Sequence, residues 1–300
     1  MDKKITACRA ISIIEPLAKK KLMEYYNGKV VLVVGASEGL GYSIVSQLTV
    51  ETSARVIATS RSATKIKQKL KLLPSRNVRG VALSLNASDA EIAKSILAII
   101  ESEEGGKIDI LINCAGMGFR GKVSDTNLEV HRQVFQVDYF GQVAIIKSLL
   151  GVSSHIIQVS SVQGYVGIGE RAPYAAAKHA LVGFIDALRT ECDEANTRIT
   201  LVSPGYISTN HSANAITGNG SAYSQTDETT STGYSPEYVA NQLLVNSAQG
   251  KREVIIADFK TRLVIKLRLL FPNLCFRILR NRQLGIKESL AVSVFKWLLS

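Results

Sequence analysis

The sequence predicts one doubly wound α/β domain, a parallel sheet with helices on both faces. Three observations predict it. From residue 29 to about 258, short aliphatic and β-branched runs alternate with segments of helical length. The first such run ends in a cluster of glycines that opens the next helix. Hydrophobic residues make up 46% of the 300 positions and only 6 are proline, so the chain can bury a full core.

The elements follow in order. "KVVLVVG" is a β-branched run ending in glycine and reads as a buried strand. A helix follows from about Gly39 to Glu51, then a second strand, "ARVIATS". A basic helix over roughly 63 to 72 leads to a third strand, "VRGVALSL". A helix from Ser88 to about Glu103 precedes the strand "IDILINCAG". After a long helical region come "HIIQVSS", a helix carrying Tyr174 and Lys178, and "RITLVSPG". A polar loop runs from Tyr206 to about Tyr234, and Pro236 opens one more helix at its favourable first-turn position. "REVIIA" closes the series. Residues 1–28 form a basic N-terminal extension, 29–258 the domain, and 259–300 a basic amphipathic C-terminal extension.

Charge separates these parts. Of the net +11, residues 260–300 carry +8 and residues 1–29 carry +4, which leaves the body at −1. A nucleic-acid-binding body would place its basic stripe on the folded domain, so that class is excluded. The cysteines Cys8, Cys114, Cys192 and Cys275 are scattered without a CxxC. With His131, His155, His179 and His211 they give no metal-ligand spacing, and a reducing, cytosol-facing setting fits better than a disulfide framework. The most apolar N-terminal stretch, "ITACRAISIIEPLA", is broken by Arg9, Glu15 and Pro16, is too short to span a bilayer, and lacks a secretory cleavage site.

The C-terminal extension behaves differently. Arg262, Lys266, Arg268, Arg277, Arg280 and Arg282 interrupt every apolar run, so the segment is too charged to cross a membrane and too apolar to float free. The expectation is a pair of interfacial helices bent at Pro272, with Trp297 as an anchor. The alternative is that these helices pack on the domain or on a second subunit.

Two patterns carry chemistry. Gly35, Gly39 and Gly41 follow the first strand, where glycines let the backbone approach a pyrophosphate at a helix N-terminus. The second strand ends in Ser60 and Arg61 with no carboxylate, which favours NADP(H) over NAD(H), against which stands Glu38 in the glycine loop. Tyr174 and Lys178 lie one helical turn apart on one face, so the ammonium favours the phenolate and lowers the phenol's pKa.

In this order the motifs resemble those of a classical short-chain dehydrogenase/reductase. They are Gly35-x-x-x-Gly39-x-Gly41, "NCAG" at 113–116, a serine ending the fifth strand, Tyr174-x-x-x-Lys178, and "PGYIST" at 204–209. The resemblance implies a Rossmann-type fold, a general-acid Tyr174, a Lys178 that also holds the nicotinamide ribose, and Ser161, rather than Ser160, polarising the substrate carbonyl. It assigns the dinucleotide to Gly35, Ser37, Gly39, Leu40 and Gly41, to Arg61 and Asn86, and to Asn113, Ala115 and Gly116. Tyr174, Lys178, Pro204, Gly205, Ile207 and Thr209 complete that set, with no metal. Asn86 stands where the family has an acid, and Asp138 where it has a catalytic Asn, whose backbone holds a relay water and whose side chain steadies a helix irregularity. Cys114 reads as a small buried filler. The interval from Asp138 to Ser161 is shorter than usual by about one turn, leaving "FGQVAIIKSLL" little room.

The segment "SPGYISTNHSANAITGNGSAYSQTDETTSTGYSPEYVA" resembles a membrane-associated branch of the family, placed at the endoplasmic reticulum or peroxisome. That resemblance implies NADPH-dependent reduction of a ketone on a lipid-like substrate, such as acyl- or alkyl-dihydroxyacetone phosphate, and a homodimer. The alternatives are a steroid or retinoid alcohol dehydrogenase and a non-catalytic, nucleotide-binding membrane scaffold.

Overall fold

The computed structural model of the chain describes residues 16–286 apart from 75, 76 and 104. Trp297 lies outside the described residues, and so does the anchor expected of it. Seven parallel strands form the central sheet: β1 (Val30–Val34), β2 (Arg55–Ser60), β3 (Val78–Ala82), β4 (Ile110–Asn113), β6 (His155–Val159), β7 (Arg198–Pro204) and β9 (Glu253–Ile256). Their order is β3-β2-β1-β4-β6-β7-β9. β5 (Phe119–Arg120) and β8 (Ile216–Thr217) make a separate two-stranded ladder.

The helices are α1 (Pro16–Tyr26), α2 (Gly39–Glu51), α3 (Ala63–Leu70), α4 (Asp89–Glu101), α5 (Leu128–Phe135), α6 (Gly141–Leu149), α7 (Ala172–Glu191), α8 (Glu228–Ser231), α9 (Pro236–Ala248), α10 (Phe259–Leu270) and α11 (Pro272–Gln283). Successive side chains of a strand point to opposite faces, and here both faces are buried. Val31 and Val33 enter one core with Ile44, Leu48, Leu243 and Leu244. Leu32 and Val34 enter the other with Ile92, Ile96, Ile145 and Leu149. The continuous apolar runs that mark these strands in the sequence are thus a consequence of being covered on both sides.

The order reverses between β1 and β4, whose chain continuations leave the sheet in opposite directions and open a crevice above the strand ends. The shortened interval after Asp138 closes without loss of sheet. α6 ends at Leu149, the chain turns through Gly151 with a left-handed φ of +76°, and β6 keeps its register with β4 and β7.

The described parts of the two extensions are less detached than the sequence implies. Leu22 and Tyr26 of α1 are fully buried in the first core. Tyr25 donates its hydroxyl to His155 Nδ1 at 2.6 Å, while His155 Nε2 meets Thr200 Oγ1 at 2.9 Å and that hydroxyl donates to the Lys251 carbonyl. His155 is therefore a neutral ring protonated on Nε2, and burial, aided by the Arg198 charge, pushes it down to about 3. Packing begins before residue 29, because α1 lies against α9 and α2 and buries Leu22 and Tyr26 in the first core. α10 and α11 form a hairpin bent at Phe271–Pro272, with Phe259, Leu269, Leu270 and Phe276 exposed. Among the described residues no helix is long and apolar enough to cross a membrane.

Candidate active site

The crevice at the strand ends is a cavity of about 510 Å³, within the range of small-molecule and cofactor sites. All but two of the residues expected to bind cofactor or act on substrate line it. The two exceptions are Asn113, fully buried at the end of β4, and Asp138, fully buried behind the wall.

The floor is built from the glycine loop. Gly35 has φ +81°, and a Cβ there would sit 2.8 Å from the Ala115 backbone. A Cβ on Gly41 would sit 2.2 Å from the Gly35 carbonyl oxygen. Only hydrogen fits at either position, so strand end, loop and α2 close into a tight cradle. α2 begins at Gly39 with no side-chain cap on its first turn and no acidic residue there. Its free N–H groups and the positive end of its dipole face the cavity, which is the donor set a pyrophosphate needs. These residues fit a dinucleotide.

At the adenosine end, exposed Arg61 and buried Ser60 line the wall. Glu38 is engaged elsewhere: Lys65 Nζ lies 3.6 Å from its Oε1, and Asn214 Nδ2 donates to the same oxygen at 3.1 Å. Asn214 comes from the long loop after β7, so this contact ties that loop to the glycine loop. Cys114 packs against the core, and burial pushes its thiol up to about 12. That is the environment of an inert filler.

At the other end stand Tyr174, Lys178 and Ser161. Lys178 is buried, with its Nζ 5.6 Å from the centre of the Tyr174 ring. Ser161 caps the 3₁₀ turn Val162–Gly164 by accepting the Gln163 N–H at 3.1 Å, and its hydroxyl reaches the Tyr174 phenol. Neighbouring Ser160 points its hydroxyl at the Lys178 carbonyl, 3.5 Å away. One expectation is corrected. Burial raises the Tyr174 phenol above its ordinary value, and this outweighs the lowering by Lys178, the Ser161 hydrogen bond and Arg120. The sequence pattern exposes the cation but not the desolvation that opposes it. Tyr174 is consequently a protonated donor at neutral pH.

Four neighbours escaped the sequence reading. His211 stacks obliquely on Tyr174, with ring centres 5.9 Å apart. Its ring is accessible through the cavity, yet the enclosing protein and the Lys178 and Arg120 cations push it down to about 4, so it is neutral. Arg120 lines the cavity and gives Nε to Asp227 Oδ2 at 2.7 Å, and Arg171 Nη2 reaches the same oxygen at 3.2 Å. All three side chains are at most 16% exposed. This clamp fastens the loop after β7 across the substrate end. Its members are separated by more than fifty positions and carry no spacing signal. Among the described residues, no group of three or more His, Cys, Asp or Glu side chains is placed to hold a metal ion.

A nucleotide cradle at the switch point, joined to a Ser–Tyr–Lys set, defines an oxidoreductase of the short-chain dehydrogenase/reductase class, and the chain belongs to that family. A family model described as "short chain dehydrogenase" matches residues 29–219. The chain is similar to dehydrogenase/reductase SDR family member 7B of Danio rerio, 36% identical over 265 residues and covering 85% of each chain. It is likewise similar to a dehydrogenase/reductase SDR family protein 7-like of Drosophila melanogaster, 35% identical over 292 residues, which are 93% of this chain and 88% of that one. Among solved structures, a short-chain dehydrogenase/reductase from Burkholderia phymatum in complex with NAD shares the fold, with a TM-score of 0.70 at 16% identity, covering 88% of this chain and 98% of that one. One from Burkholderia cenocepacia J2315 in complex with NADP does so with a TM-score of 0.66 at 20% identity, covering 88% and 99%. NAD(P)-dependent oxidoreduction is the chemistry of this family and of this chain.

Proposed function

We propose that the protein is an NADPH-dependent reductase of a ketone carried on a hydrophobic or lipid-like substrate. The observation that carries this reading is Tyr174, held protonated at the cavity wall between Ser161 and Lys178. Bound nicotinamide supplies the hydride. The chain supplies the rest: Ser161 donates a hydrogen bond to the carbonyl oxygen, Tyr174 hands that oxygen a proton, and the Lys178 ammonium steadies the phenolate left behind. Gly35, Ser37, Gly39, Leu40 and Gly41 hold the pyrophosphate, Asn86 accepts the adenine amino group, and Ile207 with Thr209 takes the carboxamide. Asn113, Ala115 and Gly116 back the adenosine side, and Pro204 and Gly205 shape the turn into the loop.

The preference for NADPH rests on Arg61 and Ser60, and on Glu38 being occupied by Lys65 and Asn214. For the substrate, the Arg120–Asp227–Arg171 clamp sets two guanidinium groups against one carboxylate, and the Arg120 member lines the cavity. That excess of positive charge suits a ketone with an acidic head, of which acyl- or alkyl-dihydroxyacetone phosphate is the example the family resemblance suggests. The α10–α11 hairpin, with its exposed apolar side chains interleaved with Lys266, Arg268 and Arg280, is assigned to a cytosol-facing membrane surface. Arg262 does not belong to that face, because its guanidinium is bonded to the Ile255 and Ala257 carbonyls. A homodimer is retained from the family pattern.

The test is NADPH oxidation followed at 340 nm against a panel of ketones, with long-chain and phosphate-bearing members and matched neutral ones. Turnover confined to the lipid-like ketones supports the reading. Turnover only in the oxidative direction on steroid or retinol alcohols replaces it with the alternative dehydrogenase.

A further inference from the structure

Asp138 lies in the five-residue π-turn Gln136–Phe140 that joins α5 to α6, and it is fully buried. Its Oδ1 accepts the Met117 N–H at 2.7 Å and stands 3.8 Å from Lys178 Nζ. Its Oδ2 is buried with no hydrogen-bond partner among the described residues. A Cβ on Gly116 would lie 3.2 Å from Asp138 Oδ1 and 3.5 Å from Lys178 Nζ. A side chain there would crowd the Asp138 carboxylate, and the carboxylate, the ammonium and the Tyr174 ring lie in one row. The family pattern has a neutral asparagine at this position. An asparagine would serve Met117 equally well through its side-chain oxygen, so that hydrogen bond does not require the charge.

We propose that Asp138 is a positioning residue whose carboxylate offsets the Lys178 ammonium and thereby holds Tyr174 in its proton-donating form. The inference rests on Tyr174 being the proton donor. The groups facing Tyr174 divide cleanly. Burial and the Asp138 charge disfavour the phenolate; Lys178, Arg120 and the Ser161 hydrogen bond favour it; His211 is neutral. Facing Asp138, the Lys178 charge and the Met117 N–H favour ionisation, but burial outweighs them and pushes the carboxyl up to about 6. Cys114, the other titratable group beside Lys178, stays a neutral thiol until about 12.

The sign follows. Above about pH 6 Asp138 is charged, and a phenolate forming on Tyr174 then meets a like charge behind the lysine. With a neutral residue at 138, burial alone opposes Lys178 and the phenol loses its proton at lower pH. Carbonyl reduction needs the phenol and alcohol oxidation needs the phenolate. Both directions share one equilibrium constant, so the falling limb of the first and the rising limb of the second move together.

The experiment does not depend on the substrate. Phenolate absorbance near 295 nm is titrated in the full chain and in Tyr174→Phe, and the difference isolates Tyr174. The same difference is taken in the background of Asp138→Asn, and of Asp138→Ser as a second neutral replacement. The midpoint of Tyr174 is expected to fall by about one pH unit or more in both, the size of effect a nearby charge exerts. The limbs of the reduction and oxidation profiles, measured on a ketone and its alcohol from the panel, should fall by the same amount. An unchanged midpoint in both variants overturns the counter-ion role and leaves the tyrosine reading intact. Full turnover by Tyr174→Phe overturns the tyrosine reading itself, and this inference with it.

Discussion

Replacing Gly41 by alanine tests the cofactor cradle at its tightest point. The new Cβ would sit 2.2 Å from the Gly35 oxygen, 2.9 Å from the Gly35 carbonyl carbon and 3.1 Å from Ala36 Cα. All three neighbours are backbone, so none can swing away as a side-chain tip would. Carbon and oxygen need well over 3 Å, so the first turn of α2 must retreat from the loop by about 1 Å. Overpacking of this kind costs roughly 1–3 kcal/mol. If that cost appears when the cradle is drawn tight around the pyrophosphate, the dissociation constant rises roughly 5- to 150-fold, at 1.4 kcal/mol per factor of ten. Titration of NADPH by its own fluorescence measures this. Gly183→Ala is the control, because a Cβ there meets nothing within 4 Å in the exposed face of α7. It should leave NADPH affinity unchanged and stabilise the helix by about 0.5–1 kcal/mol. Equal NADPH affinity in Gly41→Ala and the unmutated protein would refute the cradle as the pyrophosphate seat.

The other outcomes concern selectivity, the loop clamp and the hairpin. Arg61→Asp should reverse an NADPH preference in favour of NADH, and equal affinities for the two cofactors before mutation would remove Arg61 from that role. Asp227→Asn leaves two largely buried guanidinium groups short of their carboxylate, a loss of roughly 3 kcal/mol that lowers Tm by about 6–12 °C in a domain of this size. Burial works against ionisation of Asp227, but Arg120 and Arg171 overcome it and hold the carboxyl below its ordinary value. Its contribution is therefore complete above the unfolded value of about 3.9 and disappears as pH falls through the lower folded one, so the mutant and parent stabilities should converge in acid. A Tm difference that persists unchanged there would contradict the charge argument. The full chain should sediment with anionic liposomes, less so as salt rises, and a chain ending at Asp258 should remain in the supernatant. Sedimentation that survives the truncation would place the attachment outside the hairpin.

The sheet was legible because every central strand is covered on both faces, and the β-branched runs of β1, β4 and β6 record that directly. The cradle was legible because Gly35 and Gly41 are forced by contact with backbone, which no other residue tolerates. What stayed hidden has no local signature. His211 meets Tyr174, and Asp227 meets Arg120, only through the course of the loop after β7 and its ladder with β5. The docking of α1 depends on Tyr25 finding His155, 130 positions away. The raised phenol of Tyr174 was missed for a different reason. A lysine one turn away can be read from spacing, whereas the desolvation that outweighs it belongs to the assembled wall. Asp138 falls between these cases, since the residue was visible as a departure from the family pattern, while its orphaned oxygen was not.

The central claim is that Tyr174 delivers the proton to the substrate carbonyl. Tyr174→Phe removes one oxygen, leaves the cradle untouched and should bind NADPH as the parent does. Its single-turnover rate of ketone reduction should fall by about 10²-fold or more, the usual loss for a general acid. NADPH bound normally with reduction lost is the predicted result; reduction at the parental rate would contradict the account.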